Sequence, residues 1–350
     1  MRRGEKIAER NGEFFVALHA SVSGKVSAVG DVIEILSDGK DEAVPEVGRE
    51  RPGWESLPSD EILRILQESG IEIPRQCLID TLILNGCESE PYLTSAYCLL
   101  MSHPVEILKA GEILRRAFKA RELILAVEDH NEEVAEVLRS KIFFHTWSHA
   151  CVEMFPYRYP QEDERILIRE LTEPGAKCLV QDVATAYAVY EAVVLQKPFY
   201  ERVVTIAGEC VAQPRNFWLR IGTLVEEAVK CARGFLREPE RVVLGGPMKG
   251  LAIDTLNVPV LKQTRGILGL PQEVAKPVSI EPCIRCGLCV ENCPVSISPA
   301  MVTLASEKGF FDIAQNYGAS LCIECGNCSY VCPAKRPMVE LIRHANVNAH

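Results

Sequence analysis

The sequence contains no long apolar run and no excess of basic residues. Of its 350 residues, 38 are Lys or Arg and 48 are Asp or Glu, which gives a formal net charge of −10. Such a charge disfavours nucleic acid and anionic membrane surfaces as partners. No stretch of about 18 uninterrupted apolar residues is present, so no transmembrane segment is expected.

A secretory signal is missing as well. The segment from Met1 to Arg10 is charged throughout, whereas a signal peptide carries an apolar centre. The expected location is therefore cytoplasmic, with association to a membrane only through partner subunits.

Cysteine is the residue type that stands out. The chain has 15 cysteines, and without an export signal disulfides are not expected. Eight fall between Cys283 and Cys332. The other seven lack ligand spacing, so they are interpreted as small buried side chains, with a third metal site near Cys77 and Cys87 as a minor alternative. These seven are Cys77, Cys87, Cys98, Cys151, Cys178, Cys210 and Cys231.

The eight clustered cysteines form two runs of C-x2-C-x2-C-x3-C-P, the run of bacterial two-cluster ferredoxins. Three cysteines at this spacing let one tight loop hold three corners of a cubane, with Gly287 and Gly326 permitting close backbone approach. The fourth cysteine of each run ligates the other cluster. The runs are Cys283-Ile-Arg-Cys286-Gly-Leu-Cys289-Val-Glu-Asn-Cys293-Pro294 and Cys322-Ile-Glu-Cys325-Gly-Asn-Cys328-Ser-Tyr-Val-Cys332-Pro333.

The pattern therefore predicts two [4Fe–4S] clusters. Structural zinc is the alternative, but zinc sites usually pair two C-x2-C knuckles and have no use for a third cysteine at the same spacing. One cluster is assigned to Cys283, Cys286, Cys289 and Cys332, and the other to Cys322, Cys325, Cys328 and Cys293.

Upstream of the cysteines, apolar strands alternate with helical segments, which predicts a parallel sheet covered by helices. Residues 199–260 have the shorter strands of a small α+β domain. The expected strands are Asp80–Leu84, Glu122–Val127, Lys177–Val180, Arg202–Ala207 and Arg241–Leu244, and the expected helices are Pro104–Lys119, Asn131–Arg139, Glu162–Leu171, Val183–Leu195 and Leu224–Arg233.

With these elements placed, nearly the whole chain resembles the C subunit of the Rnf ferredoxin:NAD oxidoreductase complex. Residues 60–198 resemble, more distantly, the NADH- and flavin-binding subunit of respiratory complex I. The motifs that carry the resemblance are His19-Ala-Ser-Val-Ser-Gly-Lys25-Val, Asn85-Gly-Cys-Glu-Ser-Glu-Pro-Tyr92, Tyr159-Pro-Gln161, Val183-Ala-Thr-Ala-Tyr187, Val204-Thr-Ile-Ala-Gly208, Arg220-Ile-Gly-Thr223 and Gly245-Gly-Pro-Met248.

The resemblance implies an α/β protein with four parts. Residues 1–40 would be a partial barrel-sandwich (biotinyl-lipoyl-like) segment and residues 55–198 a Rossmann-like flavin/NADH-binding-type domain. Residues 199–270 would be an SLBB-like β-grasp domain, and residues 275–350 an α-helical ferredoxin-type domain with two [4Fe–4S] clusters. The family's positions for FMN and NAD(H) map onto Asn85, Glu88, Glu90 and Thr185.

Three loops depart from the family pattern. Gly70 to Cys77 replaces a long Gly-rich stretch that wraps flavin and nucleotide, and it presents branched side chains where backbone N–H groups would approach phosphate. Glu162 and Asp163 replace paired glycines, and Asp182 replaces an asparagine. Each carboxylate adds negative charge that repels phosphate.

We therefore expect an iron–sulfur electron-transfer subunit whose FMN and NAD(H) site is degraded. It would relay electrons between a partner redox enzyme and ferredoxin or another carrier. The alternative is an NADH:acceptor oxidoreductase in which bound FMN splits the two electrons of a hydride onto the clusters.

Overall fold

The computed structural model describes residues 1–9, 16–74, 78–145, 147–275 and 279–349. Its N-terminal part holds two small antiparallel ribbons. The segment that follows packs on the α/β domain through the buried side chain of Trp54. The ribbons pair β1 (Lys6–Ala8) with β2 (Leu18–His19), and β3 (Gly24–Val29) with β4 (Ile33–Ser37).

The predicted parallel sheet is present and has four strands in the order β7-β6-β5-β8. The two inner strands, β5 and β6, are mostly apolar and buried because helices cover both faces. The chain runs outward from β5 and then returns to the other side of β5 with β8, which leaves a crevice at their carboxyl ends. The elements are α1 (Ser59–Glu68), β5 (Thr81–Asn85), α2 (Ser95–Ser102), α3 (Pro104–Phe118), β6 (Glu122–Glu128), α4 (Glu132–Phe144), β7 (Ala150–Phe155), α5 (Glu164–Leu171), β8 (Cys178–Asp182) and α6 (Val183–Val193).

The next domain is a five-stranded mixed sheet in the order β10-β9-β13-β11-β12, packed against one helix. Strands β9 and β13 are parallel and the remaining pairs are antiparallel. This sheet confirms the small α+β domain expected from the sequence. Its elements are β9 (Glu201–Ala207), β10 (Arg215–Arg220), α7 (Val225–Cys231), β11 (Arg241–Leu244), β12 (Leu251–Ile253) and β13 (Gly266–Leu270).

The C-terminal part is helical and internally repeated. A short helix follows the Gly of each cysteine run, and a longer helix follows its Pro. The longer helices pack on one another through Val302, Ala305 and Ile342. The elements are α8 (Gln272–Ala275), α9 (Leu288–Glu291), α10 (Pro299–Glu307), α11 (Phe311–Asn316), α12 (Asn327–Tyr330) and α13 (Met338–Asn348).

Within the described ranges, none of the helices has both the length and the apolar character needed to cross a bilayer. No disulfide joins the cysteines in those ranges, and Cys77 lies outside them. The interpretation of the scattered cysteines as buried side chains holds for Cys87 and Cys210 but is wrong for Cys151 and Cys231, which are exposed, and Cys98 and Cys178 are half-buried.

Candidate functional site

The first cysteine group consists of Cys283, Cys286, Cys289 and Cys332. These four residues line one pocket, although Cys332 belongs to the second run. The rest of the lining is mainly apolar and includes Ala300, Ala334 and Met338. The structure thus brings together the four cysteines that the sequence assigned to one cluster.

The second cysteine group consists of Cys293, Cys322, Cys325 and Cys328. Cys293 comes from the first run, yet it lies close enough to raise the pKa of each of the other three thiols electrostatically. Burial is the larger cause, and it raises the pKa of Cys328 to about 12. Thiols that are buried and close to one another do not ionise readily without a metal. Metal binding stabilises their deprotonated, thiolate form.

The two groups adjoin. Cys289 and Cys332 of the first group share a buried apolar cluster with Cys328 of the second. Gly287 and Gly326 precede α9 and α12 in the left-handed backbone region, with φ of 84° and 81°. Among the described residues, no three His, Cys, Asp or Glu side chains gather around a point where a single ion would bind. A thiol set of the two-cluster type fits two cubanes, and the first group is lined mainly by apolar side chains.

The second group faces the α/β domain. The Tyr159 hydroxyl donates a hydrogen bond of 2.6 Å to the Cys325 carbonyl. Ile166 of α5 packs in a buried cluster with Ile323 and Cys325. In contrast, Cys286 of the first group is exposed, so the two groups differ in their access to solvent.

The predicted flavin positions Asn85, Glu88 and Thr185 lie at the crevice between β5 and β8. Asn85 ends β5 and donates to the Glu162 carbonyl at 2.8 Å. The Glu88 carboxylate accepts from the Ser95 hydroxyl at 2.8 Å and from the Tyr97 N–H at 3.2 Å, so it occupies the N-terminus of α2. Burial raises the pKa of Glu88.

Glu90 contacts the turn that contains Gly245-Gly-Pro-Met248. Its carboxylate accepts from the Met248 and Lys249 N–H groups, each at 2.9 Å. A Cβ at Gly246 would overlap this carboxylate, which explains the glycine there. Met248 in turn lies against Gly326, next to the second cysteine group.

Asp182 caps α6, the helix that carries Thr185. One carboxylate oxygen accepts from the Ala184 and Thr185 N–H groups at 3.1 Å, and the other accepts from the Thr185 hydroxyl at 2.6 Å. Burial alone would raise the pKa of Asp182, but Arg265, Arg202 and the Thr185 hydrogen bonds outweigh it and lower the pKa. The carboxylate stays charged at the position where a helix N-terminus would otherwise bind phosphate.

Glu162 fills the same crevice from the other side. Its carboxylate accepts from the Ser89 N–H at 3.0 Å, and burial raises its pKa. The crevice keeps a cavity of about 20 Å³ among Glu88, Asp182, Arg202 and Arg265. That volume holds one or two water molecules.

The comparisons with known proteins cover nearly the whole chain. The Nuo51 FMN-binding domain model matches residues 68–191, the SLBB domain model residues 203–252, and the 4Fe-4S dicluster domain model residues 282–335. The C subunit of the proton-translocating ferredoxin:NAD(+) oxidoreductase complex of Clostridium ljungdahlii is 33% identical over 98% of this chain and 82% of its own length. The C subunit of the ion-translocating oxidoreductase complex of Rhodobacter capsulatus is 33% identical over 98% of this chain and 72% of its own length.

This chain belongs to the family of C subunits of ion-translocating oxidoreductase complexes. A third member, from the Na(+)-translocating ferredoxin:NAD(+) oxidoreductase complex of Acetobacterium woodii, is 32% identical over 98% of this chain and 84% of its own length. An NAD+-reducing [NiFe]-hydrogenase structure shares the fold, with a TM-score of 0.58 at 16% identity, over 89% of this chain and 69% of its own chain.

Although the chain has the family's FMN-type domain, the crevice does not fit FMN. The backbone N–H groups at the starts of α2 and α6 already bind Glu88 and Asp182. Glu162 accepts from the Ser89 N–H, and Glu90 accepts from the Met248 N–H, so these backbone donors are also occupied. Phosphate would therefore meet four carboxylates here, and the helix N-termini of α2 and α6 that flank the crevice are already occupied.

Three residues of the site were missed by sequence reasoning: Arg202, Arg265 and Glu128. The two arginines come from the β-grasp domain and reach the crevice of another domain. Glu128 ends β6 one strand away and is buried. The predicted alternation of strands and helices indicated only where β6 ends. No sequence pattern near the two arginines indicated that they reach this crevice.

Proposed function

We propose that this chain is an electron-transfer subunit that relays single electrons through two [4Fe–4S] clusters. It would connect a partner redox enzyme with ferredoxin or another carrier. The observation that supports this most is the exchange of the fourth cysteine between the runs, which builds two adjoining thiol groups. Bound clusters supply the one-electron chemistry.

The cysteine assignment is part of this proposal. Cys283, Cys286, Cys289 and Cys332 would hold the first cluster, and Cys293, Cys322, Cys325 and Cys328 the second. The mainly apolar lining of the first group and the burial of Cys325 and Cys328 in the second group would tune the potentials of the clusters.

The proposed domains are residues 1–40, 55–198, 199–270 and 275–350. The second of these would act mainly as a scaffold that holds the second cysteine group. Tyr159 and Ile166 support this role because both contact the cysteine loop directly. Association with a membrane complex would occur through partner subunits; the relatives are named as subunits of translocating oxidoreductase complexes.

Optical spectra of the anaerobically purified chain test the proposal. We expect broad iron–sulfur absorbance without flavin bands. Dithionite should bleach that absorbance, and NADH should leave it unchanged. Stoichiometric FMN released by acid, together with bleaching by NADH, would contradict the flavin-free relay.

The second candidate is an NADH:acceptor oxidoreductase with FMN, favoured by the match of residues 68–191 to the FMN-binding domain model. It predicts that Glu90→Gln slows NADH oxidation while the iron content stays the same. An NADH oxidation rate of zero in the unsubstituted chain with full iron content would rule it out.

A further inference from the structure

Glu128 is a buried acid with an unpartnered oxygen. It ends β6 with 1% of its surface exposed, and its Oε1 atom has no hydrogen-bond partner within the described part of the chain. The Glu88 backbone N–H supplies a hydrogen bond to the carboxyl group. A buried carboxylate with one bare oxygen is costly, whereas a neutral carboxylic acid is far less so.

The groups that face Glu128 are mostly acidic. Burial is the main cause that raises the pKa of Glu128 to about 7, and the carboxylates of Glu162, Glu88 and Asp129 raise it further. Arg265 and Lys249 lower the pKa of Glu162, whereas no cation is among the causes that shift the pKa of Glu128. Glu128 in turn raises the pKa of the Cys87 thiol electrostatically. Other titratable or charged groups at the carboxyl ends of the strands, in the adjoining loops and on α5 are Glu90, His130, Tyr157, Arg158, Tyr159, Glu170, Asp182 and Arg202.

Helix α5 lies between the surroundings of Glu128, which acts electrostatically on Cys87, and the second cysteine group. Leu167 of α5 packs in the buried cluster that contains Cys87, while the adjacent Ile166 packs against Cys325. The diameter of a helix is about 10 Å. Tyr159, which donates to the Cys325 carbonyl, also lies within electrostatic range of Glu90 and Glu162.

We propose that Glu128 takes up a proton when an electron arrives at the second cysteine group, and releases it when the electron leaves. This inference rests on the proposed relay. The electron comes from the redox partner and the proton from solvent, and the only bond that forms is the O–H bond of the carboxyl group. The negative charge that the electron adds to the second cysteine group favours the neutral, protonated form of Glu128 over its carboxylate, and the coupling between the two sites is purely electrostatic.

The size of the effect follows from Coulomb's law. A unit charge at about 10 Å raises the pKa of a carboxyl group by about one unit at an effective dielectric constant of about 20. Proton uptake then makes reduction easier at low pH than at high pH.

Redox titration of the full chain between pH 6 and 9, with cluster content verified, tests this proposal. We expect the potential of one cluster to become more negative with rising pH, by about 59 mV in total for a one-unit change in the pKa of Glu128. Glu128→Gln should abolish this dependence. Glu153→Gln, on the exposed side of the neighbouring strand β7, is the matched control and should retain it.

Infrared difference spectra separate proton uptake from a structural effect. Reduction of the unsubstituted chain should produce a new protonated-carboxyl C=O band that Glu128→Gln lacks. A potential independent of pH in a chain with full iron content would overturn the proton site and leave the relay intact. A pH-dependent potential that persists in Glu128→Gln would also overturn the proton site. A chain that holds no iron would overturn the relay itself.

Discussion

At the residue scale, the crevice between β5 and β8 is filled by carboxylates that accept hydrogen bonds from backbone N–H groups. Asp182 is the clearest case because one side chain occupies the start of α6 and also compensates the charges of the buried Arg202 and the half-buried Arg265. A carboxylate in such surroundings remains ionised, since helix N-terminus and guanidinium charges both favour the anion. Its removal therefore changes stability as well as ligand binding.

Asp182→Asn should destabilise the folded chain by about 1–3 kcal/mol, because Arg202 and Arg265 lose a buried counter-charge. The folded pKa of Asp182 lies below its ordinary value of 3.8. Its contribution is therefore present above that pH and is lost only as the pH falls below it. Urea unfolding followed by circular dichroism should give the same loss at pH 7 and pH 5, while Asp31→Asn in an exposed turn should cost nothing measurable. A loss that halves at pH 5 would contradict this account.

Glu162→Gln should behave in the opposite way. Burial raises the folded pKa of Glu162 above its ordinary value of 4.5, so an ionised Glu162 destabilises the fold. That penalty is present at high pH and fades as the pH falls towards the ordinary value. Gln is expected to stabilise the chain more at pH 7 than at pH 5 in the same urea experiment, and equal effects at both would count against a buried carboxylate of raised pKa.

At the scale of elements, the two cysteine loops are halves of one unit. Each run places three thiols in one group and sends its fourth to the other, which ties the two halves together. The spacing predicted this arrangement because it depends on local backbone turns at Gly287 and Gly326. Local patterns of this kind can be read from a sequence directly.

Paired substitutions test the exchange. Cys289→Ala/Cys332→Ala should remove one cluster and leave about four irons, since both residues belong to the first group. Cys328→Ala/Cys332→Ala removes two cysteines of the same run, but it should disturb both groups and leave far less iron. Iron analysis after reconstitution gives the readout, with Cys231→Ala as an exposed control. The reverse order of iron contents would mean that each run holds its own cluster.

The crevice between β5 and β8 could be predicted only in part. Glu162 and Asp182 were visible as departures from a family motif, and their neighbours followed from the strand order. In contrast, Arg202 and Arg265 lie in the next domain, so no sequence window contains them together with their partners. Strand β7 and helix α2 were also not predicted, because the apolar pattern of β7 is interrupted by Glu153 and because Thr94, the N-cap residue of α2, makes no capping hydrogen bond with its own side chain.

Restoring the family residues at this edge should restore anion binding. Glu162→Gly/Asp182→Asn frees backbone donors at both sides of the crevice and leaves Arg265 without its main counter-charge. FMN affinity should rise at least tenfold, or about 1.4 kcal/mol, as measured by equilibrium dialysis. A chain with Glu132→Gln/Asp31→Asn carries the same charge change at exposed positions and should gain nothing. An unchanged FMN affinity in a folded double variant would mean that other features of the crevice exclude the cofactor.

At the scale of the whole molecule, α5 connects two sites of different chemistry. One face of it contacts the second cysteine group, and the other closes the acid-rich end of the parallel sheet. The first cysteine group has an exposed thiol, Cys286. The arrangement suits a relay with one end held by the scaffold and the other open to a partner.

Metal and sulfide analysis of the anaerobically purified chain tests the relay most directly. Two cubanes require about eight irons and about eight inorganic sulfides per chain. After reduction, electron paramagnetic resonance should show signals from two clusters. We expect these values and no bound zinc. Zinc in place of iron, or no more than about four irons in a folded, reconstituted chain, would contradict a two-cluster electron carrier.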